Sequence, residues 1–553
     1  MSIVRIIGGE MKNTTRGKMD LHATEGDFNI NAATEINWDG GEGGVVHREY
    51  EPLHPDDSLS NEKIVRLNLF FDGTQNNKTN TEAGKLHPNS NHVDDSYTND
   101  YSNVARGFDA TDPTKENQVR VYIEGIGTEN LKSETTFFGN LPNNSGIPLG
   151  EGIRGVKAKV TKGCFEAGKG LNEYAGKAIT LQVNVFGFSR GATAARYFLH
   201  IATNPVETNN PTFSNYEVAL PPFGIKCPRY LKTKETDMQV QKYGFFGACL
   251  AKWDVIPANI IFNFVGLYDT VAAYGADHRG KAIPGTTISI IDNDTKQLGL
   301  DAVNKASFVL QFAADDEHRD NFDLTNINSA GIHGLEFTLP GVHSDIGGCY
   351  VENDSENVDL FYEPYFNRDC NKFKEILEEE GWYKPHELKI VHSYTTDFTK
   401  KVPVEYDANP VGNFGLVGTR KNIHNSYDKV ALNQMFHYSK QFDVAYKNLS
   451  LNDHKIKSSF LITVNNQLVR YINACSHLRN QYVIRFNSGE NITNEYLAAI
   501  KKIKYQDYIN EDDLKTLRNE YLHWSSSATK FGYGPKVGGI KNAIERNRNI
   551  QYG

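Results

Sequence analysis

Gly187-Phe188-Ser189-Arg190-Gly191 sets a serine between two glycines, immediately after the apolar run Ala178–Phe186 and before the alanine-rich stretch Ala192–Ile201. That spacing is what a sharp strand-to-helix turn requires, because the turn leaves no room for side chains two residues before and after its apex, the places held by Gly187 and Gly191. Such a turn lifts the serine hydroxyl clear of the sheet edge. It also presents the first N–H groups of the helix, led by that of Arg190, to a developing oxyanion. The chemistry this arrangement serves is acyl transfer through a seryl ester.

A serine hydroxyl attacks only when a histidine takes its proton and a carboxylate holds that imidazole in the right tautomer. On a strand–turn–helix elbow the order along the chain is serine, acid, histidine. Asp269 follows the apolar strand Ile260–Leu267, and His343 follows Leu335–Val342. All three residues thus fall beyond the carboxyl ends of apolar strands, where catalytic groups of parallel sheets collect. Asp269 before Thr270 also fits a turn or helix-capping aspartate. Asp345 is a second carboxylate within reach of the acid role, but a position two residues from His343 suits it better to accepting backbone N–H groups and bracing the loop. His278 and His318 are the rival bases, the first close to Asp269 and the second inside the charged run Asp315–Arg319. The other oxyanion donor is expected from the loop after the first strand, which makes Gly73 and Thr74 the candidates, with Asp72 in support. Asp72 with Asn76 and Asn77 offers oxygen to a cation, but further ligands at calcium-like spacing are missing, so neither a metal nor another cofactor is expected.

The elements that must position these residues are strands alternating with helices. Ile64–Phe71 and Val119–Ile123 read as largely buried strands, and Val156–Ala175 as a helix. The alternation implies an α/β fold: a mostly parallel, hydrolase-like sheet with helices on both faces, plus insertions and a largely helical cap or satellite region. Three stretches follow. Residues 1–60 are rich in Gly and Asn and fit either a loosely ordered tail or a spike-docking β-repeat segment. Residues 61–350 form the catalytic core, with an insertion at 203–258. Residues 351–553 form a mainly helical cap or membrane-facing region, with helical patterns at Lys372–Glu380, Leu432–Lys447 and Tyr496–Ile503. Within the insertion, Phe245–Trp253 fits a core-packing helix or an interfacial lid.

Composition bounds the function. A chain of 553 residues exceeds one ordinary core, and 39% hydrophobic with 23% charged residues is the balance of a soluble globular protein. A net charge of −9 spread along the chain argues against nucleic-acid binding, which needs concentrated Lys and Arg. The six cysteines are scattered without a C-x-x-C pair, as expected of reduced structural thiols rather than a zinc site. Met1–Arg16 lacks the pattern of a secretory signal, so synthesis in the cytoplasm is expected. The most apolar stretch, Tyr243–Tyr268, is interrupted by Lys252, Asp254, Pro257 and Asn263. It falls short of a membrane span of about 20 apolar residues, so membrane contact would be peripheral.

Five motifs in order, Leu69-Phe70-Phe71-Asp72-Gly73-Thr74, Tyr122-Ile123-Glu124-Gly125-Ile126-Gly127-Thr128, Gly187-Phe188-Ser189-Arg190-Gly191-Ala192, Gly266-Leu267-Tyr268-Asp269-Thr270-Val271 and Pro340-Gly341-Val342-His343-Ser344-Asp345-Ile346-Gly347-Gly348, resemble an α/β-hydrolase family. It is the uncharacterised family that includes the first class of bacterial type VI secretion lipase effectors. The resemblance implies an antibacterial phospholipase that cleaves fatty-acyl esters of membrane glycerophospholipids with A1 or A2 regiochemistry. It implies Ser189 as nucleophile, Asp269 as acid and His343 as base. It further implies a secretion spike or tube protein as carrier, a cognate immunity protein, and action in the periplasm or on the membranes of a target cell. The N-terminal strands resemble repeats of spike proteins. The family usually has proline where this chain has Glu124. A serine esterase or thioesterase acting on a soluble substrate, and a non-enzymatic adaptor on a hydrolase scaffold, stay open as alternatives.

Overall fold

A computed structural model describes residues 63–89, 94–134, 154–205, 208–212, 215–220, 223–228, 234–272, 294–364, 367–393, 402–403, 413–528, 534 and 544–553. The N-terminal segment at 1–60 and the rival base His278 lie outside them.

Six strands make the central sheet: β1 (Lys63–Phe71), β2 (Gln118–Ile123), β3 (Ile179–Phe188), β4 (Asn259–Tyr268), β5 (Phe308–Ala314) and β6 (Gly334–Leu339). Their order is β6-β5-β4-β3-β1-β2 and every neighbouring pair is parallel. Strand order reverses between β1 and β3, so the crevice beyond their carboxyl ends is where a doubly wound sheet takes its ligand. Both Asp72-Gly73-Thr74 and Ser189 sit there. The sequence reading omits β5, although Phe308-Val309-Leu310-Gln311-Phe312-Ala313-Ala314 is buried throughout.

Alternation along each strand feeds two cores. Val65, Leu67, Leu69 and Phe71 of β1, with Leu181, Val183 and Val185 of β3, face one side. There they meet helices α2 (Val156–Gly170), α3 (Arg190–Thr203) and α4 (Lys234–Lys252). Phe70, Phe186 and Phe264 face the other side, and the first two rings stack at 4.6 Å between centroids. Against that side lie α1 (Asn103–Ala110), α5 (Asp428–Lys440) and α6 (Ser459–Asn487). Each such aliphatic or aromatic side chain contributes about 1.5–3 kcal/mol when fully buried, so the sheet is held rigidly from both faces.

Helix α4 breaks at Tyr243 and Gly244, and beyond the break Phe245, Phe246, Ala248, Cys249, Leu250 and Ala251 are fully buried. The apolar run is therefore core material, and the lid reading of Phe245–Trp253 falls. Among the described residues no helix is long and apolar enough to cross a membrane.

Beyond β6 the chain is less purely helical than its periodicity predicts. An antiparallel sheet of β7 (Asp354–Pro364), β8 (Leu388–Ser393), β9 (Val402–Pro403) and β10 (Asn413–Ile423) runs in the order β7-β10-β8-β9. Polar residues interrupt Asp354-Ser355-Glu356-Asn357-Val358-Asp359, and two register shifts in its pairing with β10 break the alternation that would announce a strand. Residues 550–551 return to pair with Leu324–Thr325 beside the catalytic crevice.

Candidate active site

Ser189 follows β3 directly, with φ 58° and ψ −129°, and stands at the N-cap position of α3. A left-handed backbone at a residue other than glycine costs of order 1–3 kcal/mol, and it persists here because the turn is held on all sides. A Cβ at Gly191 would stand 2.2 Å from the carbonyl oxygen of Asp72, and one at Gly187 would stand 2.5 Å from that of Gly191. The predicted glycines are thus demanded by close backbone approach. The Ser189 N–H donates to Tyr268 O at 3.1 Å, which ties the elbow to the end of β4.

Asp269, the next residue, also has positive φ, at 44°. Its N–H donates to Phe312 O at 2.7 Å and its side chain is fully buried. Oδ1 accepts the Ala314 N–H at 2.9 Å, and Oδ2 meets His343 Nδ1 at 2.5 Å. The structure therefore brings together two of the three predicted triad residues across 74 positions of sequence. A role for Asp269 as a helix cap fails, because its carboxylate points to an imidazole rather than to a helix N-terminus.

His343 opens the short helix His343–Gly347. Its ring lies between Phe188, at 4.6 Å between centroids, and Phe322, at 5.0 Å and nearly perpendicular. Phe188, the second residue of the serine motif, is itself pinned: a Cβ at Gly73 would come within 2.5 Å of its ring and one at Gly347 within 2.0 Å. Burial pushes the His343 imidazole below its ordinary value; contact with Asp269 opposes this, Arg319 adds to it, and Glu317 opposes it. Glu317 accepts the His343 backbone N–H at 3.2 Å and the Ser525 hydroxyl at 2.8 Å, and Arg319 grips it through Nε at 2.9 Å and Nη2 at 3.0 Å. His318, the rival base, lies between Trp524 and Trp382, and burial drives it down to about 3. Neither of its ring nitrogens finds a hydrogen-bond partner among the described residues.

Asp345 braces the loop: Oδ2 accepts the N–H groups of Val342 at 2.9 Å and His523 at 3.1 Å, and Oδ1 meets His523 Nδ1 at 2.8 Å.

On the opposite lip, Asp72 is buried and accepts from the Ser102 hydroxyl at 2.5 Å, the Tyr122 hydroxyl at 2.5 Å and the Gly73 N–H at 2.7 Å. Burial outweighs these donors and raises its carboxyl to about 6. Three hydrogen-bond donors are thus turned on the carboxylate. Asn77 instead caps the helix Lys78–Leu86, and Asn76 donates to Thr74 O at 3.1 Å. Among the described residues, no group of three or more His, Cys, Asp or Glu is placed to hold a metal. The Gly73 amide, directed at Asp72, is thereby turned from the oxyanion role predicted for it. The Arg190 side chain donates from Nε to Thr74 Oγ1 at 2.7 Å and joins the two lips. Glu124 stands buried against Lys159 Nζ at 2.8 Å and Lys162 Nζ at 2.7 Å. An ion pair thus fastens the loop that begins at Gly125.

Sequence reasoning passed over Arg548, whose guanidinium forks onto Asp269 at 2.6 and 2.9 Å, and Glu317 and His523. Only the charged run around Glu317 carried a signal.

A parallel sheet with a strained serine elbow at its reversal point, beside a buried aspartate–histidine pair, defines an α/β-hydrolase. The family described as "T6SS, Phospholipase effector Tle1-like, catalytic domain" matches residues 65–366, more than half of the chain, and the chain belongs to that family. The solved structure of the Tle1 effector bound to the VgrG spike from the type 6 secretion system is similar in fold. Its TM-score is 0.50 at 19% identity, over 89% of this chain and 94% of that one. The crystal structure of an uncharacterized protein from Pseudomonas aeruginosa gives a TM-score of 0.31 at 16% identity, over 74% of this chain and 50% of that one. No curated protein sequence matches the chain.

Proposed function

We propose that this type VI lipase effector is a serine carboxylic-ester hydrolase of the phospholipase A kind, with Ser189, Asp269 and His343 as its triad. The observation that carries the reading is the 2.5 Å contact of His343 Nδ1 with a buried carboxylate, one residue beyond the strand that holds the Ser189 amide. With Asp269 accepting from Nδ1, the lone pair of Nε2 is left to take a proton. Ser189 Oγ attacks the acyl carbonyl of a glycerophospholipid as its proton passes to His343. The tetrahedral oxyanion is met by the N–H of Arg190 at the start of α3, with the Thr74 N–H as second donor. His343 then protonates the departing lysolipid oxygen. Water, deprotonated by the same imidazole, releases the fatty acid and restores the serine.

The fold it shares with a spike-bound effector supports a spike protein as carrier. Delivery to a target cell's periplasm or membranes, peripheral contact with the lipid surface, and a cognate immunity protein in the producing cell complete the reading. The test is fatty-acid release from mixed phospholipid vesicles by the wild type beside Ser189→Ala. We expect release by the wild type alone; equal release by the variant overturns the triad.

A further inference from the structure

Asp269 has a partner that no motif announces. Arg548, 279 residues further along and outside the family match at 65–366, sets Nη1 on Oδ1 at 2.6 Å and Nη2 on Oδ2 at 2.9 Å. Two parallel charge-assisted bonds of this kind fix the plane of a carboxylate as well as its charge. The guanidinium is itself held, since Nε donates to Phe322 O at 2.6 Å and Nη1 to Ala314 O at 3.2 Å. The segment that bears it is stitched to the core. Asn549 O accepts from Leu324 N at 2.9 Å, Gln551 O from Asn326 N at 3.0 Å, and Gly553 O from Ser329 N at 3.0 Å.

We infer that Arg548 is a positioning residue of the triad: it holds the Asp269 carboxylate so that Oδ2 faces His343 Nδ1, and it supplies the counter-charge that lets His343 rest as a neutral base. The assignment rests on the triad proposed above. A fully buried carboxylate stays ionised most readily beside a cation. Were His343 the only one, Asp269 would favour the imidazolium, and the base would already hold the proton it must accept. With the guanidinium on both oxygens the charge is balanced before the imidazole is protonated. Nη2 shares Oδ2 with His343 Nδ1, so a proton arriving on the ring also meets a positive neighbour.

The other charged groups around His343 come from separate elements. Glu317 and Arg319, on the loop after β5, pair with each other, and Asp345, on the histidine's own turn, pairs with His523. Burial pushes the Asp269 carboxyl upward, yet Arg548 and His343 outweigh it and hold it below the usual carboxylate range.

The experiment compares the full chain as wild type, Arg548→Met, Arg548→Lys, Tyr552→Ala and Ser189→Ala. The readouts are kcat and KM for fatty-acid release from phospholipid vesicles, the pH profile of kcat/KM, the rate of fluorophosphonate labelling, and thermal midpoints. For Arg548→Met we expect kcat to fall about 10- to 100-fold with KM little changed, less than the roughly 10⁴-fold cost of disabling the aspartate of a serine triad. The acid limb of the profile should move to higher pH, because removing a positive neighbour raises the pKa of the imidazole. Arg548→Lys, which keeps the charge but cannot fork, should hold the acid limb in place with kcat between the two. Tyr552→Ala, an exposed change in the same segment, should match the wild type.

An unshifted acid limb in Arg548→Met, with activity lost only in proportion to unfolded protein, assigns Arg548 a structural role and overturns the inference. Wild-type kcat in Arg548→Lys overturns the need for the fork even if Arg548→Met fails to fold. Full release by Ser189→Ala overturns the triad and this assignment together, whereas an inactive Ser189→Ala beside an unshifted Arg548→Met overturns this assignment alone.

Discussion

Two buried aspartate–histidine pairs meet at the loop that follows β6, and their imidazoles are pushed in opposite directions. Asp269 and His343 are 2.5 Å apart, Asp345 and His523 2.8 Å, and all four side chains are at most 5% exposed. His343 is driven below its ordinary value, first by burial. For His523 burial also opposes the charge, but Asp345 and, further off, Glu356 outweigh it and the group is raised. The difference lies in what else each carboxylate touches. Asp269 already has a guanidinium on both oxygens, so its histidine is not needed as a counter-ion. Asp345 meets two amides and, among the described residues, no cation other than His523, whose ring stacks on Tyr350 at 3.7 Å. The same two side chains thus suit a proton acceptor in one place and a fixed ion pair in the other.

The contrast breaks most sharply by amide substitution. Asp269→Asn should lower kcat by about 10⁴-fold, as loss of the tautomer-holding carboxylate does in serine hydrolases. Asp345→Asn should leave the labelling of folded protein by a fluorophosphonate near wild type; comparable losses from both would erase the distinction. Removing the other half of the structural pair comes next: His523→Leu strands a buried carboxylate and should cost about 3–5 kcal/mol in denaturant unfolding. Protein still folded in the cold should continue to turn over.

A smaller effect separates the pairs by pH. If His343 is the neutral base proposed above, its lowered pKa means that activity should persist below the ordinary imidazole value of about 6.5 before it declines. The raised pKa of His523 has the opposite sign for stability. The contribution of its pair is complete below that ordinary value and is lost as pH rises through the folded one, so the difference in thermal midpoint between wild type and His523→Leu should narrow toward alkaline pH. Smallest of all, Ser525→Ala removes one hydroxyl from Glu317 and should cost about 1 kcal/mol, with a slight fall in kcat through the looser His343 backbone.

How much of this was legible follows from distance along the chain. Ser189, Asp269 and His343 each end an apolar strand, and a local pattern suffices to nominate them. Asp345 was likewise readable as a loop brace, because a short acidic side chain near exposed amides has few other uses. Arg548 and His523 carry no local signature. Their partners are set by the return of the chain over the core, and nothing around Asn547-Arg548-Asn549 differs from an ordinary polar surface. The candidate oxyanion donors Gly73 and Thr74 were readable only as a pair, since choosing between them depends on where the Asp72 carboxylate turns. Phe245–Trp253 shows the limit from the other side, because an apolar run has the same composition in a core as in a lid. Strand β7 escaped detection through its bulges, and β5 did so despite a run that is apolar except for Gln311.

The fork of Arg548 on Asp269 also has a consequence for biosynthesis. The chain leaves the ribosome from its N-terminus, and a domain folds as a unit. The residues of the sheet, the serine elbow and the histidine turn are all made well before residue 548. On the triad and clamp proposed above, a nascent or truncated chain would carry an acyl-transfer site whose carboxylate lacks its clamp, and full hydrolase activity is expected only after nearly all of the described chain has been made.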